Sequence, residues 1–521
     1  MIDTIAVLDF GSQYTQLIVR RIREAQVYAE LFPWDTPKDR VMAVKPKGFV
    51  LSGGPGSVYD PDAAYIPAYV FESGLPILGI CYGMQALTHT LGGEVARAVK
   101  REYGSANLTL VTPSKLLREG DDLQVWMSHG DRIDSLPEGF SVLAKTHNSP
   151  IAAMGDERRA YYGLQFHPEV RHTPSGDLLI KRFIFDVCGI KPGWTPQSII
   201  DESVGAIQAQ VGSGKVLSAV SGGVDSSVAT ALVQKAVGDQ LTAVFVETGL
   251  MRKNEGFWVE KVFGENLNCH FIKLDSKDVF FSNLKGVTAP EEKRRIIGET
   301  FIRLFESTTL TLGDPKFLVQ GTIYPDVIES RAPERSSAHR IKTHHNVGGL
   351  PEKMNFELVE PLRYLFKDEV RKVGEALGLP KALVWRQPFP GPGLAVRCLG
   401  EVSLPRIEKL RQADAIFTQE LAEANLLIFS EDDQGFETGT AQAFSVLLPV
   451  KAVGVMGDQR TYQEVVALRA VTTHDFMTAD WARLPYALLA RVSSRIVNEV
   501  QGINRVVYDI TSKPPGTIEW E

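Results

Sequence analysis

Twice in this chain a short, predominantly apolar run passes directly into a glycine-containing turn and then into a segment of helical periodicity. The first instance runs from Pro76 to Cys81, turns at Tyr82-Gly83 and continues as helix to Leu91. The second runs from Val216 to Val220, turns through Ser221-Gly222-Gly223-Val224-Asp225-Ser226-Ser227 and continues from Val228 to Ala236. Continuous apolar runs of this length, ended by Gly or Ser, read as strands buried on both faces, and such strands occur in parallel sheets covered by helices. The chain is therefore expected to be α/β, with sheets that are mainly parallel.

Neighbouring segments extend both patterns. Ile5 to Phe10 and Phe49 to Ser52 read as further strands of the first, with helical spacing from Tyr14 to Glu24. Leu108–Val111, Val142–Lys145 and Tyr161–Phe166 read as later strands, and Gly176–Val187 as a closing helix. The second pattern adds Leu241–Val246, His270–Leu274 and Phe317–Gln320. A chain of 521 residues exceeds what one core usually organises, so about two to four domains are expected. Pro192-Gly193-Trp194-Thr195-Pro196 is one natural break, and the Pro/Gly-rich stretch Pro388–Gly393 another. The predicted division is 1–193, 194–386 and 387–521, the last a small α+β domain with strand-like runs at Phe444–Leu448 and Glu464–Val471.

Composition excludes several classes. A formal charge of −7 with no basic stripe argues against nucleic acid as a partner. Cys81, Cys188, Cys269 and Cys398 form no CxxC pair, so neither a disulfide framework nor a structural zinc site is expected, and a reducing cytoplasm fits. Met1-Ile2-Asp3 opens no signal peptide, and no apolar stretch approaches the roughly 18–20 residues that span a bilayer, so no membrane partner is expected.

Each turn carries its own chemistry. Gly79-Ile80-Cys81-Tyr82-Gly83 has the strand–turn–helix setting of a nucleophile elbow, with Cys in place of Ser. The helix N-terminus favours a thiolate and offers backbone N–H groups to an oxyanion. Gln165-Phe166-His167-Pro168-Glu169 ends a predicted strand, whose alternation sets Glu169 on the side of His167 where it orients the imidazole. Ser52-Gly53-Gly54-Pro55-Gly56-Ser57 follows another strand with small residues and free N–H groups. In the second pattern, Ser221–Ser227 makes an anion nest at a helix N-terminus, and Asp225 is suited to hold Mg²⁺ against phosphates. The G-x-x-x-x-G-K-[ST] pattern of a Walker loop is missing. Asp275 reads as a helix N-cap.

The Gly-rich strand loop, the G-x-C-x-G elbow and the closing H-P-E together resemble the class I glutamine amidotransferases. That resemblance implies Cys81 as nucleophile, His167 as base and later acid, and Glu169 as orienting carboxylate. It implies backbone N–H groups of Gly54 and Tyr82 at the oxyanion, and Gln85 with the stretch Ser128-His129-Gly130-Asp131, above all Ser128 and His129, around glutamine. SGGVDSS resembles the PP-loop of the N-type ATP pyrophosphatases, which cleave ATP between its α and β phosphates and adenylylate an oxygen. Ser221, Gly222, Gly223, Val224, Asp225, Ser226 and Ser227 are then expected at ATP and pyrophosphate, with Mg²⁺ on Asp225 and Val246 beside the adenine.

The acceptor is not written in either motif. Lys293–Gly298, Gly321–Asp326, Ile341–Asn346, Pro388–Gly393 and the tail Ser512–Glu521 resemble, in order, segments of the GMP synthetase family. The resemblance implies XMP as acceptor, contacted by Arg294, Gln442, Lys513 and Glu519. It makes Lys367, by itself a helix-start surface lysine, a pyrophosphate ligand, and it implies a homodimer through the C-terminal region. The pair His344-His345 lacks the further ligand spacing of a zinc site, and a mobile lid over the nucleotide is expected there. Glutamine, ATP and XMP are thus the expected small-molecule partners. A PP-loop amidotransferase acting on another nucleotide or a tRNA base, or a catalytically idle nucleotide sensor, are the rival readings.

Overall fold

The computed structural model describes residues 2–309, 311–312, 315–331, 356–428, 430–431, 437–456, 459–473, 476 and 478–521. The segment Ile341–Asn346, with its His344-His345 pair, lies outside them. The chain divides into two compact units, 1–198 and 199–521.

The first unit is built on an eight-stranded sheet. It begins with β1 (Thr4–Asp9), α1 (Thr15–Glu24), β2 (Tyr28–Pro33), α2 (Lys38–Met42), β3 (Pro46–Leu51), α3 (Ala68–Glu72), β4 (Ile77–Ile80) and α4 (Tyr82–Thr90). The hairpin strands β5 (Glu94–Asn107) and β7 (Gln124–Ser135) pair with each other. Between and after them come β6 (Thr109–Leu110), β8 (Ser141–Lys145), β9 (Ala153–Asp156), β10 (Tyr161–Leu164) and α5 (Gly176–Arg182). The sheet order is β2-β1-β3-β4-β10-β9-β8-β6. The first five strands are parallel, and β9, β8 and β6 continue the sheet antiparallel. Its centre is where the sequence is wholly apolar: every residue of β4 is buried. α1 covers it with Ile18, Val19 and Ile22 while Arg20 and Glu24 pair in solvent. From β1 the chain steps to β2 on one side and to β3 on the other, a topological switch that opens a crevice at the carboxyl ends of β1 and β3.

The second unit opens within α6 (Pro196–Val211) and continues with β11 (Val216–Ala219), α7 (Val224–Val237), β12 (Leu241–Glu247), α8 (Glu255–Glu260), β13 (His270–Asp275), α9 (Lys277–Asn283) and α10 (Pro290–Thr309). It continues through β14 (Phe317–Val319), α11 (Tyr324–Arg331), β15 (Glu357–Val359), α12 (Lys367–Ala376) and α13 (Lys381–Val384). The sheet order is β13-β12-β11-β14-β15, parallel throughout. Here too the order reverses, between β11 and β14. Asp275 does not occupy the N-cap position expected of it, although its Oδ1 accepts the N–H of Lys277, the first residue of α9, at 3.5 Å. It is the last residue of β13, paired to Glu247, and Ser276 takes the N-cap position of α9.

A second sheet follows α14 (Leu404–Glu423) and the short pair β16 (Ser430–Glu431) and β17 (Glu437–Thr438). It holds β18 (Gln442–Met456), β19 (Gln459–Thr472) and β20 (Asp480–Trp481), with β21 (Ile503–Asp509) joining β19 after α15 (Tyr486–Glu499). One hydrophobic cluster runs from Val246, Leu250 and Phe280 through Leu394, Ile407, Leu410 and Phe417 to Leu468, Val492 and Ile503. Residues on both sides of Pro388–Gly393 therefore share a core.

Candidate active sites

Cys81 stands between β4 and α4 with φ +52° and ψ −107°, a backbone conformation that non-glycine residues rarely adopt. The flanking glycines make that turn possible by close approach. A Cβ on Gly79 would lie 2.6 Å from the Gly83 carbonyl oxygen, and one on Gly83 would lie 2.3 Å from that of Leu51. The thiol side chain is buried, with Gln165 Nε2 at 3.8 Å and the Ser128 carbonyl oxygen at 3.7 Å from its sulfur.

His167 and Glu169 do not lie on a strand, because β10 stops at Leu164. The alternation argument for their pairing is therefore replaced by a turn. His167 donates its backbone N–H to Trp126, and its carbonyl accepts from Thr173 Oγ1 at 2.7 Å. Arg21 Nε holds the Glu169 carbonyl at 3.2 Å. This cage brings His167 Nδ1 to 2.8 Å from Glu169 Oε1, with Glu169 wholly buried. Burial pulls the imidazole pKa down. Hydrogen bonds to the Cys81 sulfur and to Glu169, together with their charges, outweigh burial and push it up to about 10.

The Gly54 loop follows β3. A Cβ there would lie 2.8 Å from the Phe10 carbonyl and 3.1 Å from the Tyr82 ring, so glycine lets the loop reach the start of α4. Tyr82 N–H heads α4 and has no intrahelical acceptor, and neither it nor Gly54 N–H donates to another group among the described residues. Gln85 Nε2 donates to the Asp131 carbonyl at 3.0 Å and lies 3.3 Å from Gln165 Oε1. His129 Nδ1 meets the same Asp131 carbonyl at 2.9 Å. Gln85, Ser128 and His129 thus gather beside Cys81. Gln165 and Glu102, which join them, were not singled out from sequence; only the closeness of Gln165 to the H-P-E segment pointed that way.

In the second unit, the loop from β11 to α7 sits at the β11/β14 switch point. Gly222 takes φ +77°. Ser221 Oγ and Ser226 Oγ are 3.0 Å apart, and Gly223 N–H points at Ser221 Oγ at 3.3 Å. Val224, Asp225, Ser226 and Ser227 form the first turn of α7. Ser227 Oγ is buried without a partner. Gly321, just past β14, packs so closely that its Cβ would lie 3.1 Å from Asp225 C and Ser226 N. Lys367, first residue of α12, reaches across to both Asp225 oxygens at 2.7 and 2.6 Å. Arg386, unmarked in the sequence reading, holds the Gly222 carbonyl and pairs with Glu255 at 2.6 Å. Val246, one residue before the end of β12, is 3% exposed and its side chain belongs to the core. The loop suits magnesium of the phosphate-bound kind. Asp225 already attracts a cation, and no cluster of three or more His, Cys, Asp or Glu ligands occurs among the described residues.

The tail is docked. Glu519 receives Gln442 Nε2 at 2.9 Å and a two-pronged contact from Arg397 Nε and Nη2 at 3.1 and 2.7 Å. Arg397 is fully buried, against the rings of Phe389 and Phe444. Arg294 donates to the Glu521 carbonyl at 2.7 Å, and buried Lys293 meets the Glu521 carboxylate at 2.5 Å. Gln442, Glu519 and Arg294 therefore meet on one tail, whereas Lys513 is bonded to the Phe476 carbonyl at 2.6 Å.

A mixed α/β sheet carrying Cys81 on its elbow, with His167 and Glu169 beside it, defines a glutamine amidotransferase class. Residues 6–187 match the family model "Glutamine amidotransferase class-I", and residues 430–520 match "GMP synthase C terminal domain". Over 521 residues the chain is 56% identical to GMP synthase [glutamine-hydrolyzing] of Thermomicrobium roseum, covering 100% of this chain and 97% of that one. It is 56% identical over 524 residues to the same-named protein of Neisseria meningitidis serogroup A, covering 100% and 99%. The Chromobacterium violaceum relative is 55% identical over 528 residues, covering 100% of each. The chain belongs to the glutamine-hydrolysing GMP synthase family.

Proposed function

We propose that this chain makes GMP from XMP, ATP, glutamine and water, releasing AMP, pyrophosphate and glutamate. The observation that carries this reading is the Cys81–His167–Glu169 geometry in a chain aligned end to end with proteins of that name. Cys81 attacks the glutamine side-chain carbonyl, and Gly54 and Tyr82 N–H groups receive the oxyanion. His167, oriented by Glu169, donates a proton to the leaving ammonia, then takes one from the water that hydrolyses the thioester to glutamate. In the second unit, the xanthine 2-oxygen attacks the α phosphorus and pyrophosphate leaves. Ammonia then adds at that carbon and displaces AMP. Ser221–Ser227 N–H and hydroxyl groups bind the departing pyrophosphate, and Lys367 moves from Asp225 to it. Mg²⁺, held by Asp225, would offset phosphate charge.

This reading assigns residues 1–193 to glutamine hydrolysis, 194–386 to adenylylation, and 387–521 to XMP contacts and pairing of two chains. Exposed Val453, Val455 and Tyr462 on the β18–β19 ribbon support such pairing. Four free cysteines fit a cytoplasmic setting, and no described helix is long and apolar enough to cross a membrane.

The test is incubation with XMP, MgATP and glutamine, scoring GMP, AMP and pyrophosphate; no GMP would sink the acceptor assignment and leave the rival readings. Cys81→Ala is expected to lose glutamine-driven synthesis and keep ammonia-driven synthesis. Loss of both together would contradict separate centres.

A further inference from the structure

Behind the wall of the glutamine pocket lies a buried carboxylate to which the mechanism above gives no part. Glu102 of β5 is 8% exposed and pairs in register with His129 of β7. It accepts from Thr146 Oγ1 at 2.9 and 3.1 Å and from Ser149 Oγ at 2.7 Å. Its Oε2 lies 3.4 Å from His129 Nε2, with Ser149 Oγ also 3.4 Å from that nitrogen. On the far side of the ring, Nδ1 meets the Asp131 carbonyl at 2.9 Å and, since a carbonyl only accepts, carries a proton. Nε2 donates to Glu102 when the ring takes up a second one. Burial disfavours that form and holds the pKa below its usual value, whereas the Asp131 carbonyl and the Glu102 charge favour it. The same carbonyl is bonded by Gln85, which reaches Gln165, whose amide nitrogen faces the Cys81 sulfur. One strand segment, 128–131, thus presents Ser128 C=O to the sulfur and is fastened from behind by His129.

We propose that Glu102 is a positioning residue for glutamine: it fixes the His129 ring and so holds the 128–131 backbone at the spacing from Cys81 that the substrate side chain needs. A buried carboxylate with several donors is a stiff anchor, since each charge-assisted bond is short and removing the charge leaves the donors unpaired. The inference rests on Cys81 being the glutaminase nucleophile.

In the full-length protein, Glu102→Gln keeps the volume and removes the charge. The KM for glutamine is expected to rise about ten-fold or more, the worth of a hydrogen bond to a charged group. Ammonia-driven synthesis and the KM values for ATP and XMP stay at their original levels, and Glu102→Asp recovers part of the loss. An unchanged KM for glutamine, or an equal fall in ammonia-driven synthesis, overturns the proposal. If Glu102→Gln does not fold, Ser149→Ala decides by the same measurement, with a smaller rise expected and no rise overturning it. Glutamine-driven activity surviving in Cys81→Ala would instead remove the reading on which the proposal stands.

Discussion

Between a sulfur and a carboxylate, the His167 ring gains two acceptors and loses water. Burial opposes its charge, and the two acceptors restore it, holding the proton up to a pKa of about 10 against an ordinary 6.5. A histidine raised in the folded state lends stability fully below its unfolded pKa and loses it as pH climbs through the folded one. That contribution is therefore full below pH 6.5, already declining at neutral pH, and lost by about pH 10. In Glu169→Gln the titration, followed by histidine NMR, is expected to move down toward the ordinary range. Glutamine hydrolysis should fall by at least about a hundredfold, as when an orienting carboxylate is lost from a related triad. An unmoved titration would mean Glu169 does not govern the ring. The elbow and the H-P-E stretch pointed to these residues from sequence because the proposed nucleophile, base and orienter each sit in a short recognisable pattern. Glu102, Gln165 and Arg397 carry no such pattern. Arg397 acquires meaning only from Glu519, 122 positions away, through contacts the chain order does not display.

At the scale of elements, glycine marks where one backbone must touch another. Gly83→Ala would press a methyl against the Leu51 carbonyl at the junction of β3 and α4. It is expected to cost at least about 1–3 kcal/mol of unfolding free energy, read by denaturant titration. Gly205→Ala serves as the opposite case. It lies exposed within α6 with no atom within 4 Å of the new Cβ, and should gain roughly 0.5–1 kcal/mol. Equal effects of the two would refute the packing argument. The same contrast explains which elements could be read from sequence. β4 is buried and continuously apolar, and β1, β3 and β11 are mostly so, broken only by residues such as Asp9, Lys47 and Ser218, so all four could be read. β5 and β7 passed unseen because their half-exposed faces mix charge with small residues. β18 and β19 were legible only over their inner halves; the outer ribbon, with Val453, Val455 and Tyr462 exposed, has no core to impose a pattern.

For the molecule as a whole, the same device appears in each unit: a sheet, mixed in the first and parallel in the second, whose order reverses among parallel strands, with a loop and helix N-terminus at the reversal. Two such crevices imply two separable chemistries feeding one product. Lys367→Met in the second should lower glutamine-driven and ammonia-driven synthesis by one common factor, roughly ten-fold or more, the converse of the Cys81 variant. A selective loss of the glutamine-driven rate, measured as GMP formation, would place Lys367 in the wrong step. Both crevices could be foreseen, since each follows an apolar strand. The core shared across Pro388–Gly393 could not, because it joins segments far apart in the chain. The left-handed backbone at Cys81 finally bears on how such a chain is inherited. A glycine there would relax the turn and stabilise the fold while erasing the proposed nucleophile. Sequence drift governed by stability alone would favour that loss, so the cysteine persists only where each generation is selected for drawing nitrogen from glutamine.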